Sequence, residues 1–349
     1  MVVHQPATIL IQNAAASLHI DLFGGAIIAF RLAGNSTNPL SFAFTKEQMP
    51  INNGNGAPYQ GHFSCIGRWG EPSAGEIKAG LPNHGEPANI EWVAEQKSEI
   101  LLSMQTTAKK EGLHVDRTII MDKHEAVYKV SETITNINPL GRLFNIVQHP
   151  SLAAPFLDGN TIVDCNASIG FDQAQYKEID SNIFHWPVAK DNKNEDINLR
   201  NPSGFYNAVF SFVIQQVAEF GWITAYSPAH NLLIGYVWKR ADYPWIHIWR
   251  HYDSNNAIQY LGIEFGTAGI HKPFDEILKT AANLFGEKTV DYIDAGESVL
   301  KKYFAFIYSP DSFPGGVRNI EIKDKSIVIT PMNGSVITMQ LSKDISDGL

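Results

Sequence analysis

The sequence predicts an all-β protein that forms one large β-sandwich with few short helices. Short segments with alternating apolar and polar side chains recur along most of the 349 residues, and turn residues such as Asn-Gly, Asp-Gly and Pro-Leu-Gly separate them. Helical periodicity is limited to Asp275 to Phe285, with a short turn at Ala74 to Lys78. This is too little helix for alternating βαβ units. A sandwich can run to this length as one unit, so we expect a single domain over residues 1–349, with an appended strand pair at 319–339.

The predicted strands are enriched in Val, Ile, Phe, Tyr and Thr, which suit half-buried pleated segments. They are Ser17 to Phe23, Ala26 to Leu32, Ile90 to Ala94, Ile100 to Gln105, Leu113 to Met121, Ala126 to Asn136, Leu143 to His149, Phe210 to Ile214, Leu232 to Val237, Trp245 to Trp249 and Gln259 to Phe265. Lys46 to Glu86 lacks this pattern, and its Tyr59, Phe63 and Trp69 predict an ordered wall of a site. The polar segment Asp172 to Ser203 is interpreted as a surface insertion.

Composition and charge argue against several classes of partner. The net charge is −9 and basic residues form no run, so we expect neither nucleic acid nor a membrane surface as a partner. No apolar stretch approaches the ~20 residues of a membrane span, and the start at Met1 lacks signal-peptide features, which predicts a cytoplasmic location. Cys65 and Cys165 lack metal-ligand spacing and are expected to be buried free thiols. The oligomeric state stays open.

Glu264 is the most informative acidic residue. Side chains alternate across a strand, so Glu264 shares its face with Gly262 and Gly266 while Ile263 and Phe265 face the other way. Glycine in a strand often marks the close approach of a ligand or another backbone. The pattern therefore indicates a carboxylate on a floor kept clear for a substrate. The alternative is a solvated glutamate on the polar face of an amphipathic strand.

His149 is the natural partner for such a carboxylate. It ends a predicted strand and precedes Pro150, which keeps the histidine backbone extended. An imidazole with a pKa of ~6.5 and a carboxylate can each transfer protons near neutral pH. Together with Glu264, His149 is a candidate acid and base couple. We expect the two on opposite sides of one pocket, about a sugar ring apart, if they act on a sugar.

Two further residues in the Lys46 to Glu86 segment could bind a polar ligand. His84 lies in a turn where Gly85 can take a positive φ, so its imidazole can bond a polyol. Arg68 lies between Gly67 and the Trp69-Gly70 pair, and its fixed donors suit hydroxyls, a carboxylate or a phosphate. The alternative for both is anchoring of the loop through backbone carbonyls.

An aromatic stripe precedes the Glu264 strand. Tyr243, Trp245, His247 and Trp249 fall on one strand face by alternation. Such a stripe can stack on the C–H face of a sugar, and it can equally pack one sheet on another. Trp249 is expected to be the exposed member because it lies nearest the turn at His251 to Asn256.

Other common chemistries find no support. The chain has no G-x-S-x-G elbow, Walker loop or H-E-x-x-H motif. We expect neither a cofactor nor a metal site, and whether a metal ion assists at the carboxylates stays open. Asp242 and Asp253 remain candidates for a second carboxylate beside Glu264, so a glycosidase-like pair stays open. Asp242 is also a candidate substrate-binding residue.

Taken in order along residues 15–310, several segments resemble the aldose 1-epimerase, or galactose mutarotase-like, superfamily. They are Gly24-Gly25-Ala26-Ile27, Pro82-Asn83-His84-Gly85, Arg117-Thr118-Ile119 through Asn136, His149 at a strand end, Trp238 to Trp249, Gly262-Ile263-Glu264 and Asp294-Ala295-Gly296-Glu297-Ser298. The resemblance implies a β-supersandwich with a sugar in its concave face. By that likeness Glu264 takes the proton of the C1 hydroxyl and His149 protonates the ring oxygen. Arg68 and His84 would then hold the opening ring.

The sequence departs from that pattern at two places. Gln148-His149-Pro150-Ser151-Leu152 stands where the family has Asn-His-x-Tyr-Phe, and Gly204-Phe205-Tyr206-Asn207 offers an amide in place of an acidic residue on sugar hydroxyls. The sugar is therefore open, and a hexose phosphate would need Arg68 to meet the phosphate. A non-catalytic carbohydrate-binding or regulatory protein, and a lyase or hydrolase using Asp242 or Asp253 with Glu264, are the alternatives.

Overall fold

A computed structural model describes residues 7–202, 205–312 and 315–346. Strands dominate these ranges, as predicted. In chain order they are β1 (Thr8–Gln12), β2 (Ala16–Asp21), β3 (Ile27–Leu32), β4 (His62–Ile66), β5 (Val93–Lys97), β6 (Leu101–Ala108), β7 (Leu113–Met121), β8 (Val127–Asn136), β9 (Arg142–Phe144), β10 (Ile146–Ala153), β11 (Ile162–Cys165), β12 (Ala167–Asp172), β13 (Phe184–His185), β14 (Val188–Lys190), β15 (Asp196–Asn198), β16 (Ala208–Ile214), β17 (Phe220–Ser227), β18 (Leu232–Lys239), β19 (Trp245–Tyr252), β20 (Ile258–Gly266), β21 (Asn283–Leu284), β22 (Glu287–Lys288), β23 (Asp291–Ile293), β24 (Ser298–Tyr308), β25 (Val317–Lys323), β26 (Ser326–Pro331) and β27 (Ile337–Gln340). The α-helices are α1 (Ala74–Lys78), α2 (Phe274–Thr280) and α3 (Lys343–Ser346), and four short 3-10 helices accompany them in the described residues.

Two antiparallel sheets form the sandwich. The larger has twelve strands in the order β1-β2-β3-β4-β10-β20-β19-β16-β12-β13-β14-β15, and the smaller has eight in the order β11-β17-β18-β24-β8-β7-β6-β5. Their inner faces enclose the main apolar core, to which β20 contributes Leu261, Ile263 and Phe265. Because side chains alternate along β20, Glu264 must project from the opposite, outer face of the larger sheet.

The predicted helix at Asp275 to Phe285 is shorter in the structure. Helix α2 ends at Thr280 because the backbone becomes extended at Ala281. Phe285 and Gly286 then take positive φ values of 54° and 85°, the conformation of a tight hairpin turn, and this turn joins β21 to β22. The predicted turn at Ala74 to Lys78 is α1, which Ser73 caps by accepting a hydrogen bond from the Glu76 backbone N–H.

The two long segments without a strand pattern, Lys46 to Glu86 and Asp172 to Ser203, nevertheless contain strands. Within Lys46 to Glu86, β4 pairs with β10 in the middle of the larger sheet, so this segment supplies part of the floor of the site as well as a wall. Asp172 to Ser203 adds β13, β14 and β15 to the edge of the same sheet. Ser203 and Gly204 lie outside the described residues.

The C-terminal strands form a three-stranded sheet, β25-β26-β27, where a strand pair was predicted. Its apolar side chains pack on the outer face of the smaller sheet, where Val317 and Ile329 join a cluster with Trp222 and Phe304. Cys65 and Cys165 are buried free thiols, as predicted. No helix in the described part of the chain is both long and apolar enough to cross a membrane.

Candidate functional site

A cavity of about 180 Å³ lies on the outer face of the larger sheet. It is lined by Phe42, Phe44, Tyr59, Phe63, Trp69, His84, His149, Val209, Trp249, Glu264 and His271. Four of the residues proposed from sequence therefore meet at one place: His84, His149, Trp249 and Glu264. Arg68 and Asp242 do not line it.

Strand register places His149 beside Glu264. In the pairing of β10 with β20, Val147 lies opposite Gly266 and Ser151 opposite Gly262, which sets His149 across from Glu264. The Nε2 atom of His149 is 3.1 Å from Oε1 of Glu264. The two side chains are neighbours on one floor, and the expected spacing of a sugar ring between them is not observed.

Ser151 determines where the His149 proton lies. The Ser151 hydroxyl donates to the backbone carbonyl of His149 at 3.2 Å, and its oxygen is 2.9 Å from His149 Nδ1. With its hydrogen so directed, the Ser151 oxygen accepts from Nδ1–H, which leaves Nε2 of a neutral imidazole as an acceptor. The contact between Nε2 and Oε1 then requires a proton, which a protonated Glu264 supplies.

Burial favours the same neutral state for both groups. Glu264 is 1% and His149 6% exposed. Burial raises the pKa of Glu264 well above its usual range, an effect that the Trp69 side chain only partly opposes. Burial, with the nearby His84 and His271, lowers the pKa of His149 well below its usual range. The couple therefore holds one proton in common and carries no net charge.

The two carboxyl oxygens of Glu264 differ in their contacts. Oε2 is buried and has no hydrogen-bond partner among the described residues. An unmet buried acceptor is costly, typically by about 1–3 kcal/mol.

His84 is held as a neutral hydrogen-bond donor. Its φ of 59° and that of Gly85, 83°, place both residues in the left-handed region. The Gly70 backbone N–H donates to His84 Nδ1 at 3.3 Å, and Cys65 Sγ lies 3.1 Å from the same nitrogen. Burial and the neighbouring His271 lower the pKa of His84 to about 3. Since Nδ1 accepts, the single proton is on Nε2.

Aromatic rings make the cavity walls apolar. Phe63 stacks on the His149 ring with 4.3 Å between centroids, and Tyr59 stacks on Phe63 at 4.8 Å. Trp249 meets Phe42 edge to face at 5.6 Å on the other side. Trp249 thus packs against protein and also lines the cavity, and its stacking on a sugar stays a prediction.

The aromatic stripe is only partly as predicted. Tyr243 precedes β19, is fully buried, and belongs to the core between the sheets. Trp245 does lie on the outer face, but Ile270 and Phe285 cover it. His247 pairs with Glu264 across the strands and sits beneath Trp69, with 4.1 Å between ring centroids.

Arg68 has a different role from the predicted one. Its Nε is 3.0 Å from Glu111 Oε1 and its Nη1 is 2.9 Å from Glu76 Oε2. Glu111 is 1% exposed, and a buried carboxylate needs a cation beside it. Arg68, together with Arg142, meets that need and is turned away from the cavity.

The candidate second carboxylates lie elsewhere. Asp242 lines a separate cleft with Trp238, Lys239 and Lys302. Asp253 accepts hydrogen bonds from the backbone of its own turn, at Asn255 and Ala257. Glu264 is thus the single carboxylate among the residues that line the cavity, and the glycosidase-like pair is not assembled.

The glycines beside Glu264 make room for protein groups. A Cβ on Gly262 would lie 2.7 Å from Glu264 Oε1, and one on Gly266 would lie 2.5 Å from Val147 Cγ2. Gly262 therefore leaves space for the carboxylate itself. The prediction of a floor kept clear for substrate was wrong in this respect, although Glu264 does face a cavity.

Three residues that line the cavity were not predicted from the sequence: Phe42, Phe44 and His271. His271 follows closely after the strand that carries Glu264, which is the one signal that could have drawn attention to it. Among the described residues, no group of three or more His, Cys, Asp or Glu side chains is arranged to hold a metal ion.

Comparison with solved structures identifies the fold. The galactose mutarotase related enzyme from Lactobacillus acidophilus superposes with a TM-score of 0.61 at 12% identity, covering 88% of this chain and 99% of its own. A galactose mutarotase-like protein from Lactobacillus casei gives 0.58 at 13% identity, covering 86% and 100%. This chain therefore has the galactose mutarotase-like fold, and the fold expected from the sequence is confirmed.

The same fold also occurs as one part of a longer protein. A TPR-domain containing protein from Parabacteroides distasonis gives a TM-score of 0.58 at 10% identity, covering 88% of this chain and 48% of its own. No protein-family model matches the sequence, and no protein of curated function does. At these identities the likeness is one of fold.

Proposed function

We propose that this protein is a cofactor-independent epimerase of the aldose 1-epimerase kind, which interconverts the anomers of a free sugar. The observation that carries the proposal is the Glu264–His149 contact at the floor of an aromatic cavity, with Glu264 Oε2 unpartnered. A cavity of about 180 Å³ has room for roughly six waters at about 30 Å³ each, which is the space of about one six-membered ring.

The positions of the protons on Glu264 and His149 support catalysis by both groups together. The anomeric hydroxyl and the ring oxygen are bonded to the same carbon, so groups that serve both must be close neighbours, as His149 and Glu264 are. Glu264 Oε2 takes the proton of the C1 hydroxyl, the proton on Oε1 passes to His149 Nε2, and His149 Nε2 delivers a proton to the ring oxygen. The C1–ring oxygen bond breaks and a free aldehyde forms. Rotation about C1–C2 and the reverse transfers close the other anomer.

The cavity favours an uncharged sugar. Neither lysine nor arginine is among its lining residues, and Arg68 is paired with Glu76 and Glu111. A phosphate would find no cation to bond. The Nε2–H of neutral His84 is suited to a sugar hydroxyl, and Trp249 to the apolar face of the ring.

Anomer exchange measured by saturation-transfer NMR over a panel of neutral aldoses and their phosphates tests the proposal. Glu264→Gln and His149→Asn are the test variants, and Asp242→Asn is the matched control because it makes the same carboxylate-to-amide change outside the cavity. Full exchange by Glu264→Gln on a sugar that the wild type converts would exclude Glu264 as the base.

The second candidate is a sugar-binding protein without catalysis. The occurrence of this fold within a larger TPR-domain containing protein favours a binding role as the alternative. Saturable binding of an aldose that Trp249→Ala weakens, with exchange no faster than in buffer, would select it.

A further inference from the structure

A network of four polar side chains crosses the core directly behind the floor of the cavity. On the face of the larger sheet opposite to His149, Gln148 of β10 and Ser64 of β4 are cross-strand partners, and both are buried between the sheets. The smaller sheet supplies Arg117 of β7 and Glu132 of β8, which form an ion pair with 2.6 Å between Nε and Oε1. This inter-sheet network therefore joins two strands of the floor to the opposite layer of the sandwich.

The hydrogen bonds of the inter-sheet network form a closed loop. The Gln148 amide nitrogen donates to Glu132 Oε2 at 2.6 Å, and Arg117 Nη2 donates to the Ser64 hydroxyl oxygen at 2.9 Å. The Ser64 hydroxyl in turn donates to Gln148 Oε1 at 2.9 Å. A buried ion pair is costly unless further hydrogen bonds satisfy its remaining atoms, and Gln148 and Ser64 provide them. Removing either bond partner thus affects the whole network.

Strand β4 has little support apart from β10 and this network. In the described part of the chain, β4 pairs with β10 along its whole length, but with β3 only through His62 and Ile27. The register of β4 against β10 sets Phe63 opposite His149, and the two rings stack with 4.3 Å between centroids. A change in this register would move Phe63 away from the imidazole.

We infer that Gln148 and Ser64 are positioning residues for His149. From behind the floor, the inter-sheet network holds β4 and β10 in one register, so that Phe63 covers the imidazole and His149 Nε2 stays 3.1 Å from Glu264 Oε1. The network acts through the strands, because its side chains lie on the face of the sheet opposite to the cavity. This inference rests on the proposed function and names residues on which its proton transfer depends.

Gln148→Met tests the inference because it keeps the length of the side chain and removes its hydrogen bonds. We expect kcat for anomer exchange to fall about tenfold with KM unchanged, since a small displacement of the acid slows proton transfer without removing a sugar contact. Gln105→Met is the matched control and should keep the wild-type kcat. Gln105 also donates to a glutamate, Glu95, but its neighbour Met104 faces the core, so Gln105 lies on the outer face of the smaller sheet.

The double variant Gln148→Glu with Glu132→Gln is the rescue. It exchanges the amide and the carboxyl, so the hydrogen bond between positions 148 and 132 forms again with its direction reversed. Ser64 and Arg117 each keep an acceptor. We expect the double variant to recover kcat to within about threefold of the wild type. Gln148→Glu alone should stay slow, because it sets two carboxylates side by side.

A second readout does not require catalysis. The Phe63 ring lies over the His149 ring and shields its protons, whose NMR signals are assigned by their loss in His149→Asn. We expect Gln148→Met to move these signals towards those of an unstacked histidine, and the double variant to return them. Ser64→Ala, which removes one hydroxyl from the network, should give the same displacement at smaller size and replaces Gln148→Met if that variant does not fold.

The outcomes separate this inference from the proposed function. Wild-type kcat and wild-type His149 signals in Gln148→Met or Ser64→Ala overturn the inference and leave the proposed function standing. A double variant that melts at the wild-type temperature but recovers neither kcat nor the His149 signals also overturns it. If the wild type exchanges no sugar, the proposed function is overturned, and the His149 signals alone decide whether the inter-sheet network positions the imidazole.

Discussion

His149 Nε2 lies 3.1 Å from Glu264 Oε1, and His149 Nδ1 lies 2.9 Å from the Ser151 hydroxyl oxygen. This chain of contacts joins two residues of β10 to the acid of β20. It defines which nitrogen carries the histidine proton and where the couple's shared proton resides. The proposed proton transfers run through these contacts.

Glu264→Gln is expected to lower anomer exchange by at least ~10²-fold, since a positioned acid or base typically contributes that much. Stability is expected to change little, because the neutral amide replaces a carboxyl that burial already keeps neutral. Exchange kinetics and thermal unfolding check both parts. A large fall in melting temperature would contradict the assignment of a protonated Glu264.

Ser151→Ala is expected to slow exchange about tenfold, the equivalent of one neutral hydrogen bond. Without the Ser151 oxygen, Nδ1–H loses its acceptor, and the proton can move to the nitrogen that faces Glu264. The pH–rate profile should shift as well as fall, which a purely structural defect would not produce. Ser168→Ala, which removes a hydroxyl that donates to Val213 on another part of the sheet, serves as control and should keep the wild-type profile.

Arg68→Met is expected to destabilise the fold by about 3 kcal/mol, because it removes one partner of a buried ion pair and leaves Glu111 short of charge compensation. The KM of any sugar that the protein converts should stay unchanged, since Arg68 does not line the cavity. Urea unfolding and steady-state kinetics measure the two effects. A raised KM with normal stability would restore the ligand-binding role that the sequence suggested.

Because His62 is buried in its neutral form, the free energy of unfolding is expected to fall as the pH is lowered. His62 is 2% exposed, and burial, with Arg117 nearby, lowers its pKa to about 3. In the unfolded chain His62 takes up a proton below its ordinary pKa of about 6.5, whereas in the folded chain it stays neutral down to about pH 3. The contribution of neutral His62 to the free energy of unfolding is therefore complete above pH 6.5 and is lost progressively as the pH falls to about 3. Between pH 6.5 and 5 the loss is about 2 kcal/mol.

Urea unfolding at pH 7 and pH 5 measures this loss. His62→Phe should reduce the difference between the two pH values by about 2 kcal/mol, and His185→Phe, at an exposed site, should leave it as in the wild type. An unchanged difference in His62→Phe would show that His62 is not the group responsible.

Local pattern alone determined the all-β class, the alternation of β20 and the orientation of Glu264 away from the core. Period-two alternation is a property of neighbouring residues, so the division between Ile263 and Glu264 is readable from the chain. The same holds for His149 before Pro150. The helix end at Thr280 was misplaced because a two-residue hairpin follows where the apolar pattern continues.

Tertiary structure alone decided which of these residues meet. Strand β10 lies between β4 and β20, which are distant from it and from each other in sequence, and this order brings Phe63, His149 and Glu264 into one row. It also directs Arg68 to Glu111 and brings His271 to the cavity. Such choices depend on sheet order, register and the need of buried charges for partners, which are long-range properties that no local pattern contains.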